Sequence, residues 1–191
     1  MMRSQDSRRP SVLVAYISVM TALAAVFGYL EQLVPLDLIG IPGAKLGLAN
    51  IVSLVALYIL GPYYAFFIMF ARVLLTGFMF GNMYSLIYSL AGGILSMIMM
   101  CMLKTTGLFT MTGVSAAGGV AHNFGQLIVA VITLNEINLT FYFPILIIIG
   151  LLCGILTGLT GSMVRTRLYP DNDPAEDFHD RIIKRNNRSS I

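Results

Sequence analysis

The sequence predicts an all-α membrane protein, a compact bundle of six transmembrane helices with its N- and C-termini cytoplasmic. Three observations carry this. Of the 191 residues, 57% are hydrophobic and only 11% charged, where a soluble domain carries about a quarter charged residues. Those charges are segregated: between Pro10 and Val164 only Glu31, Asp37, Lys45, Arg72, Lys104 and Glu136 are charged. A water-soluble fold cannot clothe its surface with so few. The apolar stretches left between them have the length of a membrane span, about 20 residues. An ordinary soluble enzyme is excluded.

With that ruler the spans fall at about 11–33, 44–60, 62–81, 83–103, 113–135 and 141–164. Span one follows Arg8-Arg9, and its apolar run continues through Val26 to Leu30. It therefore reads as an uncleaved helix and not as a signal peptide. Pro35 and Pro42 break the first connection. Span two is short enough to be partly re-entrant. Gly61-Pro62 makes a tight turn into span three, because proline is tolerated in a first helical turn. Gly81-Asn82 leaves almost no loop before span four. Residues 1–10 form a cytoplasmic segment, 11–167 the membrane domain, and 168–191 a polar, mostly disordered cytoplasmic tail with one short helix around Glu176 to Arg185.

Orientation follows from the short connections. Arg3, Arg8 and Arg9 precede span one, Lys104 follows span four, and Arg165 and Arg167 follow span six. With six spans all of these share one side, which the positive-inside rule makes cytoplasmic. Glu31, Asp37 and Glu136 fall on the other side, with Glu31 and Asp37 expected near the outer interface. Net charge +3 is thus a topology signal and not a nucleic-acid footprint. Cys101 and Cys153 lie in apolar stretches and read as packing thiols.

Helices in lipid associate through close packing, so small residues at four-residue spacing mark contact faces. Such stripes run through Gly150, Gly154, Gly158 and Ser162 in span six, Gly113, Ala117, Ala121 and Gly125 in span five, and Ser85, Ser89 and Gly93 in span four.

Polar groups inside the spans are the functional candidates, since an arginine mid-span costs ~2.5–3.5 kcal/mol on the insertion scale. Arg72 lies at the centre of span three, with Thr76 one turn on. Span five carries His122, Gln126, Thr133 and Glu136 along one stripe, with Asn123 beside His122. Span two opens with Lys45 and holds Asn50 deeper. These residues suggest a polar pocket in the outer half, lined by Lys45, Asn50, Arg72, His122, Asn123 and Gln126. Two cations with amides and an imidazole suit an anionic or carbonyl-rich small molecule. The alternative is that Arg72 pairs with Glu31 or Glu136 while the amides bridge helices.

Catalytic patterns do not assemble. HExxH and GxSxG are absent, as is GxxxxGK[ST], so any ATP-driven step must be powered by another chain. Glu176-Asp177-Phe178-His179-Asp180 looks like the magnesium-holding box of prenyl diphosphate synthases, but it stands alone in a polar tail and reads as a solvated acidic cluster. No catalytic residue, metal site or cofactor is expected.

Residues 42–50, PGAKLGLAN, followed by Ile51-Val52-Ser53-Leu54, resemble the signature of a bacterial membrane family called Gx transporters. The same family is labelled heptaprenyl diphosphate synthase component I. Ala71-Arg72-Val73-Leu74, Ser89-Leu90-Ala91-Gly92-Gly93 and Ala121-His122-Asn123-Phe124-Gly125-Gln126 support the resemblance, which covers residues from about 15 to 165. It implies a six-helix protein of the bacterial plasma membrane, similar to the substrate-binding components of energy-coupling-factor importers. Such components hand a vitamin-like solute to a membrane coupling subunit driven by two ATPases. A small-residue patch on the first helix contacts that subunit, which here points to Ala15, Ser18 and Ala22. The expected function is therefore a solute-binding membrane component of an uptake system, for a vitamin-like or isoprenoid- or quinone-related solute. The alternatives are a non-catalytic membrane subunit of polyprenyl diphosphate synthesis and a stand-alone, ion-coupled homodimeric transporter.

Overall fold

The structure is a computed structural model that describes residues 10–33, 47, 49–81 and 83–168. Six α-helices follow one another: α1 (Pro10–Gln32), α2 (Asn50–Ile59), α3 (Pro62–Phe80), α4 (Met83–Thr106), α5 (Met111–Leu134) and α6 (Phe143–Leu168). A 3-10 helix, Ile137–Tyr142, leads into α6. Five helices are long and apolar enough to cross a membrane, and α2 is the short one. Its ten residues rise only about 15 Å, half of the ~30 Å hydrocarbon core. The span expected over 44–60 is thus helical from Asn50 onward, while Lys45 and its neighbours lie outside the described residues. So do Asp37, the N-terminal arginines and the tail with its acidic box.

Local chemistry sets the ends. Gly61 adopts φ 96°, a left-handed conformation that favours glycine, and Pro62 starts α3 directly after it. The Thr110 hydroxyl accepts the Gly113 N–H at 3.2 Å and caps α5. Asn135, at φ 52°, ends that helix in the left-handed form that asparagine tolerates. Helices α4 and α6 run past the expected ends at 103 and 164 and take Lys104, Arg165 and Arg167 into their last turns. The apolar ruler stops at the first base, whereas the helix continues. Cations are stabilised at a helix C-terminus, and their long stems still reach water.

Two triplets make the bundle. In the first, α1, α2 and α3 contact one another; in the second, α5 packs between α4 and α6. They meet where α3 touches α4 and where α2 touches α6. The short α2 is the most enclosed element. Leu54, Val55, Ala56 and Leu57 are buried against Ile68, Met69 and Val73 of α3 and against Met97 and Met100 of α4. The outward faces carry large apolar side chains such as Phe67, Phe78, Ile132 and Leu152, as a lipid-facing surface requires.

Glycines set the spacing of the second triplet. A Cβ on Gly119 would lie 2.2 Å from the Gly150 carbonyl oxygen, and one on Gly154 would lie 2.6 Å from that of Ser115. The expected stripe Gly150, Gly154, Gly158 is therefore a contact face, although Ser162 is only half-buried. Its partners lie on α5. Thr112, Ser115, Ala116 and Gly119 face α6, whereas Gly125 packs on Ala91 and Gly92 of α4. With helices on two sides, α5 carries small residues on two faces, and four-residue spacing does not distinguish them. On α4, Gly92 and Gly93 make the close contacts, to His122 and Met69 respectively.

Gly119→Ala is expected to destabilise the detergent-solubilised protein by about 1–3 kcal/mol, because the added methyl overpacks a backbone contact. Gly113→Ala, whose methyl meets its nearest neighbour at 3.6 Å, should leave stability unchanged or raised. Thermal unfolding of the two variants checks the pair.

Candidate functional site

The polar residues of the spans are buried together in the half of the bundle away from Lys104 and Arg165. Those two cations converge at the other end. The Lys104 Nζ lies 4.8 Å and the Arg165 guanidinium 5.2 Å from the centroid of the Tyr58 ring.

Arg72 is 4% exposed, and its Nη2 donates to the Asn50 Oδ1 at 3.1 Å. This joins the middle of α3 to the first residue of α2. The Asn50 N–H donates to the Gly47 carbonyl at 2.9 Å, and the Gly47 N–H donates to the Glu31 carboxylate. Glu31, one residue from the end of α1, is buried within the protein, 4% exposed. The start of α2 covers it. Its carboxylate is the counter-charge to Arg72 on the same network. Of the two carboxylates considered for Arg72, Glu31 is the neighbour, whereas Glu136 is exposed.

Packing brings these charges together. Gly28, one turn before Glu31, lets α1 close on Thr76, whose Cγ2 would lie 2.9 Å from a Cβ at that position. The Thr76 hydroxyl donates to the Arg72 carbonyl at 2.8 Å, so it braces α3. One network, Glu31–Gly47–Asn50–Arg72, thus holds the whole first triplet.

The α5 residues divide by role. Asn123 donates from Nδ2 to the Leu146 carbonyl at 2.9 Å and so bridges α5 to α6. His122 is buried against Gly92 of α4, where a Cβ would come within 2.9 Å of the ring. Gln126 is 5% exposed, and neither atom of its amide has a hydrogen-bond partner among the described residues. The same holds for the Arg72 Nε. Thr133 and Glu136 are exposed, so the polar stripe ends inward of them.

Between the triplets lies a small hollow. Gly47 and Asn50 line it from one side; Ser96, His122, Asn123 and Thr157 line it from the other, among the glycines of α5 and α6. Its volume is about 10 Å³, room for about one water molecule. Of the six residues expected to line a pocket, Asn50, His122 and Asn123 do so. Arg72 stands behind Asn50, Gln126 is buried outside the lining, and Lys45 lies outside the described residues. Glu31, Ser96, Ser115 and Thr157 were not anticipated as site residues. Serine and threonine are too common in spans to signal a site, but Gly28 one turn before Glu31 was a usable sign that this acid faces a helix. Ala15, Ser18 and Ala22 occupy an exposed face of α1.

Among the described residues no group of three or more His, Cys, Asp or Glu is placed to hold a metal ion. Both cysteines are free thiols.

A hydrogen bond to a charged group contributes about 1.5–3 kcal/mol. A double-mutant cycle on Asn50→Ala and Arg72→Gln, read by unfolding in detergent, should return a coupling of that order. The same cycle run with Ser162→Ala in place of Asn50→Ala should return about zero.

Comparison with known proteins gives one match. The family model for heptaprenyl diphosphate synthase component I aligns with residues 20–164. No curated protein and no solved structure matches the chain.

Proposed function

The chain belongs to the heptaprenyl diphosphate synthase component I family, and from that premise we propose that it is the solute-binding membrane component of an uptake system. Its solute is an anionic or carbonyl-rich small molecule. One observation carries the reading: the Arg72 Nε and the Gln126 amide are buried without a hydrogen-bond partner among the described residues, and Asn50, which Arg72 holds, lines a hollow deep in an apolar bundle. Leaving a buried polar group unsatisfied costs about 1–3 kcal/mol. A solute with acceptor oxygens supplies what these groups lack, and the paired donors of arginine suit a carboxylate.

The hollow as it stands is a closed form, and the packing indicates how it opens. Each triplet is pinned internally, the first by the Glu31–Arg72 network and the second by glycine contacts and Asn123. The hollow lies on the seam between them. A solute of vitamin size enters when the triplets part, which lifts Asn50 away from His122 and Thr157. By the positive-inside rule the end with Lys104 and Arg165 is cytoplasmic. The network then sits in the outer half, where an imported solute arrives, in the plasma membrane of a bacterium.

Without a nucleotide-binding loop, the chain takes its energy from a partner. Ala15, Ser18 and Ala22, exposed and small, suit close docking of a membrane coupling subunit with its ATPases. A second reading has its own support in the family's name: a non-catalytic membrane subunit for a polyprenyl diphosphate synthase, docked through the tail.

Native mass spectrometry of the protein released from its own membrane separates these readings. The first expects a co-purifying small anionic molecule, retained when residues 170–191 are deleted and reduced at least tenfold by Arg72→Ala in a protein that still inserts. Wild-type protein that emerges without a small molecule, or equal retention by Arg72→Ala, contradicts it. Loss of a soluble synthase on deletion of the tail supports the second.

A further inference from the structure

Helices α3 and α4 run antiparallel and touch closely at Gly77 against Leu86 and at Gly93 against Met69. Toward the basic end they part and leave an open groove of about 660 Å³, walled by Tyr63, Phe66, Phe70, Met97, Ile98 and Met102. These walls are aromatic and long-chained. Helices dock on one another in a membrane through small residues that let backbones approach, and this groove offers none. Its shape and chemistry instead suit a flexible hydrocarbon chain.

The rim of the groove is charged. Lys104 stands one turn beyond Cys101, itself a groove residue. The Lys104 Nζ donates to the Leu57 carbonyl at 2.6 Å and shares the Tyr58 ring with Arg165. Two cations around one tyrosine, with Tyr63 exposed in the first turn of α3, mark the level of the lipid headgroups. Like charges so placed favour an anion between them, and basic clefts between membrane helices take anionic headgroups.

We propose that this groove binds an anionic phospholipid of the adjoining leaflet, one acyl chain lying along Phe66, Phe70 and Met97 and the phosphate meeting Lys104 and Arg165. The site is separate from the hollow at the seam, so it stands or falls independently of the solute.

The test is native mass spectrometry of the full chain in detergent, titrated with phosphatidylglycerol or phosphatidylcholine. Wild type should retain phosphatidylglycerol at least about fivefold better. Lys104→Gln with Arg165→Gln should bring that ratio close to one. Met102→Trp, which fills the groove from an exposed position, should reduce binding of both lipids. Should the double variant fail to fold, Arg165→Gln alone is expected to lower the ratio by at least twofold. Equal retention of the two lipids by wild type, or a preference unchanged in the charge variants, overturns the proposal. A protein dimer that Met102→Trp abolishes overturns it too, because the groove would then hold a second copy.

Discussion

The hydrogen bond from Arg72 to Asn50 is the constraint on which the rest of the structure depends. A guanidinium in the middle of a bundle has no water to turn to, so the protein must surround it with acceptors and an opposing charge. Much of the first triplet follows from that need. Gly28 is small so that α1 can bring Glu31 near, and Gly47 turns its N–H onto the carboxylate. Helix α2 begins at Asn50, where its side chain reaches the arginine.

The second triplet is built by different means. Glycine and serine backbones touch along α5 and α6, and Asn123 adds a single bridge. Close contacts also cross between them, Gly93 on Met69 and Gly161 on Leu54. A polar hollow falls on that seam. A bundle built only for stability would more simply fill the seam with apolar side chains.

Much of this was legible in the sequence, for reasons that also explain what was not. Composition alone gave the membrane bundle, and the rarity of polar groups in spans singled out Arg72, Asn50, His122, Asn123 and Gln126, all of which are buried. Glu31 was not anticipated as buried, because a place at the end of a span does not say what packs over it. Nothing local in the sequence reveals that the start of α2 folds over it. The stripe on α5 marked one contact face, at Gly125 against α4, but not the second face that meets α6 through Ser115, Ala116 and Gly119. The lining of the hollow was legible only in part. Asn50, His122 and Asn123 stood out, whereas its glycines, Ser96, Ser115 and Thr157 are brought together only by tertiary packing.

The most direct test of the central claim is an experimental structure of the protein, purified from its own membrane into a lipid nanodisc and detailed enough to place ordered water. The account predicts Arg72 turned inward onto Asn50 and a non-protein molecule in a widened seam, within hydrogen-bond distance of Asn50, His122 or Thr157. Arg72 facing the acyl chains, or a dry and closed seam with the arginine saturated by Glu31 and Asn50, would contradict it.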